Sequence, residues 1–160
     1  MVRVDVTRDL PVAVAEGFDY ITNVRNWRSY WPGVIEVPDE EHVSWSQPGD
    51  QASVVLRVRG RPTEMRMKLD EFRPYEGVFY QSTQEGLPDF RHERHFNESQ
   101  GRLRYTLVIA FEPRKGVRWP VDRLIVARIV RRNLIETLDN LERIFRQRDQ
   151  GAQGGPTDRP

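Results

Sequence analysis

Apolar and polar positions change their period along this chain, and each change marks a new element. Val2, Val4 and Val6 alternate with polar residues, which predicts a short strand. Pro11 suits the first turn of a helix, and Val14, Phe18 and Ile21 then recur at helical spacing. A second short helix is expected over Asn23–Trp31, stopped by Pro32-Gly33. Six strand-like stretches follow: Val34–Ser46, Ala52–Arg59, Glu64–Phe72, Val78–Glu85, Phe90–Phe96 and Leu103–Glu112. Turn signals such as Gln47-Pro48-Gly49-Asp50 and Pro74-Tyr75-Glu76-Gly77 separate them, so successive stretches read as hairpins of an antiparallel meander. Met65, Met67 and Leu69 share a face while Phe72 falls out of phase, which predicts a bulge near Asp70–Glu71.

From about Pro120 to Gln147 the period becomes helical. Ala127, Val130, Leu134, Leu138, Leu141 and Phe145 form one stripe, with Ile125, Ile129 and Ile135 beside it. The far side carries Arg128, Arg131, Arg132, Glu136, Asp139, Arg143 and Arg146. Such a helix would run roughly 40 Å, and one helix cannot fill the space that seven curling strands enclose. The expected architecture is therefore α+β: a curved seven-stranded antiparallel sheet wrapped around a long C-terminal helix, with two short helices after the first strand. An internal apolar pocket is expected between helix and sheet. Residues 1–148 read as one domain, and the polar, Gly/Pro-rich stretch 149–160 as a disordered tail.

Composition narrows the function. Twenty-five basic residues against 24 acidic ones leave a net charge of +1, which argues against a dedicated nucleic-acid binder. The absence of cysteine removes disulfides, thiolate catalysis and cysteine-ligated metal centres. No apolar run is long enough for a transmembrane segment and the first residues lack a secretory signal, so a cytoplasmic protein is expected. Phosphate-binding loops, nucleophile elbows and zinc-protease motifs are missing, and nothing calls for a cofactor. His92 and His95 sit three apart on a strand and point to opposite faces, so no metal site is expected. The sequence carries no signal of oligomeric state.

The stretch FDYITNVRNWRSYWPGV (18–34), the strand GRLRYTLVIAFEP (101–113) and the helix RRNLIETLDNLERIF (131–145) resemble the START-like (SRPBCC) superfamily, in its polyketide cyclase/dehydrase and lipid-transport branch. The resemblance spans about residues 2 to 147 and implies a helix-grip fold. It also implies a cavity for a hydrophobic or amphipathic small molecule, lipid or polyketide-like, bound or transported. The alternative use of such a cavity is that of a polyketide aromatase/cyclase or dehydratase.

Strand parity selects the residues that line it. Phe90, His92, Arg94 and Phe96 share the inward face of their strand, and Arg91, Glu93, His95 and Asn97 the outward one. An inward Arg94 either anchors an acidic ligand oxygen or is satisfied at home, by solvent or by Asp70 or Glu71. His92 is either a hydrogen-bonded wall residue or an acid-base group. Trp27, Tyr30 and Trp31 roof the pocket or pack the corner, Tyr80 and Tyr105 offer hydroxyls, and Met67, Val130 and Leu134 supply apolar wall. Arg128, Arg131 and Arg132 read as a solvated helix face, with contact to an anionic membrane as the alternative.

Overall fold

A computed structural model describes residues 1–153. Nine residues open the chain as strand β1 (Val2–Leu10), followed by helix α1 (Val14–Thr22), a 3₁₀ turn at Val24–Asn26 and the single-turn helix α2 (Trp27–Tyr30). Strands β2 (Val34–Glu36), β3 (Gln51–Val58), β4 (Arg61–Arg73), β5 (Gly77–Gln84), β6 (Phe90–Ser99) and β7 (Arg102–Phe111) come next. A 3₁₀ turn at Gly116–Arg118 and a π-helical stretch at Val121–Val126 lead into the long helix α3 (Ala127–Gln153). All seven strands form one curled antiparallel sheet in the order β1-β7-β6-β5-β4-β3-β2, so β7 folds back to pair with β1. No helix among the described residues is long and apolar enough to cross a membrane.

Turn chemistry sets the registers. Arg59-Gly60 and Gln100-Gly101 each place two successive residues at positive φ, the backbone of the tight hairpin turn whose twist matches its strands. The register of β4 on β5 shifts between Leu69 and Glu71, where the phase of Phe72 predicts a bulge. Leu10, Val54, Leu69, Leu103 and Tyr105 of the sheet share one buried core with Leu134, Leu138, Leu141 and Phe145 of α3. Helix α1 packs closely enough that a Cβ on Gly17 would lie 2.6 Å from Leu103 Cδ2. Asn140 of α3 donates to the Tyr30 carbonyl at 3.0 Å, which ties α2 to the long helix.

Three expectations need correction. Strand Val34–Ser46 shrinks to Val34–Glu36, because the acidic run Pro38-Asp39-Glu40-Glu41 breaks the alternation and Asp39 takes φ 56°. The remainder is a loop pinned by Asp50, whose carboxylate accepts from Ser46 N, Gln47 N and Ser44 Oγ and is held below the usual carboxylate range by those backbone donors first. That loop buries Val37 and Trp45. Secondly, the tail expected to be disordered over 149–160 begins inside α3, which is helical through Gln153; residues 154–160 lie outside the described residues. Thirdly, Ile125, Ile129 and Ile135 are exposed rather than part of a wide apolar face. The π-helical stretch changes the number of residues per turn just before α3.

Candidate functional site

Arg94 sits at the middle of β6, opposite Val78 of β5 and Leu107 of β7, and points between the sheet and α3. It is 6% exposed and makes no ion pair among the described residues, so neither Asp70 nor Glu71 neutralises it. Its partners are phenols. One terminal nitrogen donates to Tyr80 Oη at 2.8 Å and the other to Tyr30 Oη at 3.2 Å. Its guanidinium also lies 5.4 Å from the Trp31 ring and 5.1 Å from the Tyr80 ring, on their π-faces. Two of its five N–H groups are thereby used, and Nε has no partner. Tyr105 lies within electrostatic reach, fully buried, with a hydroxyl that makes no hydrogen bond.

These side chains keep the charge fixed. Neighbouring phenols hold the Arg94 pKa well above its ordinary value despite burial. Burial pushes the Tyr30 hydroxyl up to about 12 and raises Tyr80 and Tyr105 as well, so all three stay neutral. The Tyr30 proton is committed to the Ile21 carbonyl at 2.6 Å, leaving its lone pair for Arg94. What results is one enclosed cation among neutral hydroxyls, with no carboxylate. A buried charge in that state is costly, and an anionic or strongly accepting oxygen beside it removes the cost.

His92, two residues earlier on the same face, stacks on Tyr80 at 4.3 Å with rings nearly parallel. Its Nε2 is 2.8 Å from Ser82 Oγ, and Ser82 in turn reaches Gln84 Oε1 at 3.4 Å while Gln84 Nε2 donates to the Pro88 carbonyl at 2.7 Å. Burial first, and the positive Arg94 second, push its pKa down to about 3. It is a neutral imidazole at neutral pH.

Two adjoining spaces surround this arrangement. A small inner one, about 30 Å³, is lined by Tyr30, Tyr80, Arg94, Leu107, Leu134 and Thr137. A larger outer one, about 220 Å³, is walled by Leu56, Met65, Leu87, Phe90, Val126 and Val130. Trp31, His92, Ile109 and Asn133 belong to both and form the partition. The depression of about 900 Å³ beside the β3–β4 hairpin is larger, but Arg59, Arg61, Glu64, Arg66 and Glu85 line it and it is surface. Among the described residues no cluster of three or more His, Asp or Glu could hold a metal ion.

Of the residues singled out from sequence, Trp31, Tyr80, His92, Arg94, Val130 and Leu134 line the two spaces. Tyr105 contributes its unpartnered hydroxyl beside Arg94 without lining either. Met67 and Phe96 do not belong: Met67 is buried away from both, its expected place taken by Met65, and Phe96 packs on Phe18 and Tyr105. Tyr30, expected to roof the pocket or pack the corner, lines the inner space, whereas sequence reasoning missed Ser82, Asn133 and Thr137. The Tyr30–Arg94 hydrogen bond is reached only through tertiary contact, whereas Ser82 is visible in hindsight from the parity of Tyr80.

A curled antiparallel sheet gripping one long helix around an interior space defines the helix-grip class. The chain belongs to the polyketide cyclase / dehydrase and lipid transport family, whose model matches residues 1–146. Among solved structures it is similar to the Zhui aromatase/cyclase from Streptomyces sp. R1128, at 15% identity and a TM-score of 0.79 over 97% of this chain and 99% of that one. A protein from Thermus thermophilus aligns at 14% identity and TM-score 0.72, over 90% and 97% of the two chains. DynU16, from the dynemicin biosynthetic locus, aligns at 15% identity and TM-score 0.65 over 88% of this chain, which spans only 46% of the DynU16 chain. A comparison with the curated proteins finds no match.

Proposed function

We propose that the protein, acting as a single domain, binds a small amphipathic molecule with an acidic or enolic oxygen, of lipid or polyketide-like type. The apolar body lies in the outer space along Val130, and the charged end passes the Trp31–His92 partition to meet Arg94 and the hydroxyls of Tyr80 and Tyr105. The observation that carries this reading is the buried Arg94 guanidinium with an unpartnered Nε and no carboxylate. The family, and a fold shared with an aromatase/cyclase and a biosynthetic-locus protein, support a polyketide-related binding or cyclase role. A space of about 220 Å³ lies below the ordinary range of about 300 to 1,000 Å³ for ligand pockets, which favours a compact ligand.

Cyclisation or dehydration is the second reading, because the same cation and phenols suit an enolate formed on the way to a transition state. Against it stands the lack of a base with a pKa near 7 among the inward groups, since His92 is held at about 3 and the tyrosines are raised. Titrating the protein with naphthoate and with its neutral methyl ester tests the binding reading. Tighter binding of the acid is expected. Equal affinity for the two, or preference for the ester, would count against it. Turnover of a poly-β-keto substrate mimic would promote the second reading.

A further inference from the structure

The start of the C-terminal helical region differs from the rest of the surface in both charge and polarity. Between Arg114 and Arg132 seven basic side chains stand against one acid, Asp122, in a chain whose net charge is +1. That acid is fully buried and spent on Arg114. Lys115, Arg118, Arg123, Arg128, Arg131 and Arg132 make no ion pair among the described residues. Elsewhere among the described residues seven arginines are ion-paired, as in Arg3–Glu93, Arg28–Glu40, Arg73–Glu71, Arg104–Asp9 and Arg146–Glu142, whereas in this stretch Arg114 alone is.

Apolar side chains gather in the same place. Val117 is 94% exposed, Leu124 69%, Ile129 56% and Trp119 46%, with Ile125 also exposed. Ile125 and Ile129 are one helical turn apart, as are Arg128 and Arg132, so an apolar ladder runs beside a basic one. The Arg123 guanidinium lies 5.1 Å from the Trp119 ring. Ile129 is at once exposed and part of the wall of the outer space, beside Val126 and Val130, so this face adjoins the cavity mouth.

We infer that this face docks on an anionic membrane surface, bringing the cavity mouth against lipid. Protruding apolar tips enter the headgroup boundary, Trp119 sits at the interface, and the unpaired basic residues meet lipid phosphates. An acidic protein would satisfy the charges but leave projecting side chains such as Val117 and Leu124 in search of a matching recess. Membrane docking needs no transmembrane helix, and it holds whatever the ligand proves to be.

The test is flotation of the full chain with vesicles of phosphatidylcholine alone and of phosphatidylcholine containing a third phosphatidylglycerol. Binding is expected only to the anionic vesicles, with release as salt is raised. At about 1 kcal/mol per basic residue near such a surface, the combined Arg128→Gln, Arg131→Gln and Arg132→Gln variant should partition about a hundredfold less. Leu124→Ser alone should lose about tenfold. Both variants should melt as the wild type does and bind naphthoate unchanged. Absence of vesicle binding, equal binding to both vesicle types, or binding that ignores both variants would overturn the inference. So would self-association or capture of an acidic protein without vesicle binding. No ligand is needed, so its failure leaves the Arg94 site standing.

Discussion

Arg94 and Arg114 are the same side chain in opposite circumstances. Arg114, at the entry to the helical region, meets the fully buried Asp122 carboxylate with its backbone N–H at 2.8 Å, Nε at 2.9 Å and a terminal nitrogen at 2.7 Å. Its other terminal nitrogen donates to the Gly86 carbonyl at 2.9 Å, fastening the β5–β6 loop to the helix start. Arg94 lies deeper, has no carboxylate, and leaves Nε bare. The first arginine is consumed by the fold. The second is oriented by phenols that do not neutralise it, which is the arrangement the proposed ligand anchor requires.

Matched substitutions turn that contrast into a difference of sign. Arg114→Met strands the Asp122 carboxylate in the interior and should lower stability by about 3 kcal/mol, the low end for a broken buried pair because Arg114 is itself 28% exposed. Denaturant titration measures it, and a loss below about 1 kcal/mol would make the latch ornamental. Next in size is the response to acid. The folded pKa of His92 is depressed to about 3 from 6.5, so the unfolded chain takes up the proton first. Stability is full above about pH 6.5 and falls as pH drops toward 3, by about 2 kcal/mol between pH 7 and 5. In His92→Gln that slope should disappear above pH 5, where carboxylates are still ionised. An unchanged slope would move the effect to another group. Smallest is Arg94→Met, which exchanges an uncompensated cation for an apolar chain of similar reach. It should leave stability unchanged or raise it by about 1 kcal/mol. A loss as large as that of Arg114→Met would erase the distinction between the two arginines.

How much of this was legible follows the range of the interactions. The inward face of β6, the bulge at Leu69–Glu71 and the Leu134–Leu138–Leu141 stripe are local periodicities, and the structure shows each where the pattern puts it. The loop 37–50 was not legible, because Trp45 is buried through tertiary packing on Trp27 and Tyr80, at 5.5 Å from each ring, and not through any alternation of its own. Nor was the π-helical stretch, whose sequence Val121–Val126 reads as ordinary helix and whose change of phase leaves Ile125 and Ile129 outside. Within the site, parity located Arg94 and His92. It could not say who would satisfy them, since Tyr30 lies 64 residues away in sequence.

The central claim is that Arg94 is reserved for the acidic end of a ligand. Isothermal titration of wild type and Arg94→Met with naphthoate and its methyl ester tests it most directly, because the mutant is expected to remain folded and the two ligands differ only at the oxygen. The acid should lose about 2 to 5 kcal/mol of binding free energy in the mutant while the ester loses almost nothing. Equal losses for acid and ester, or none for either, would contradict the account and return Arg94 to the wall.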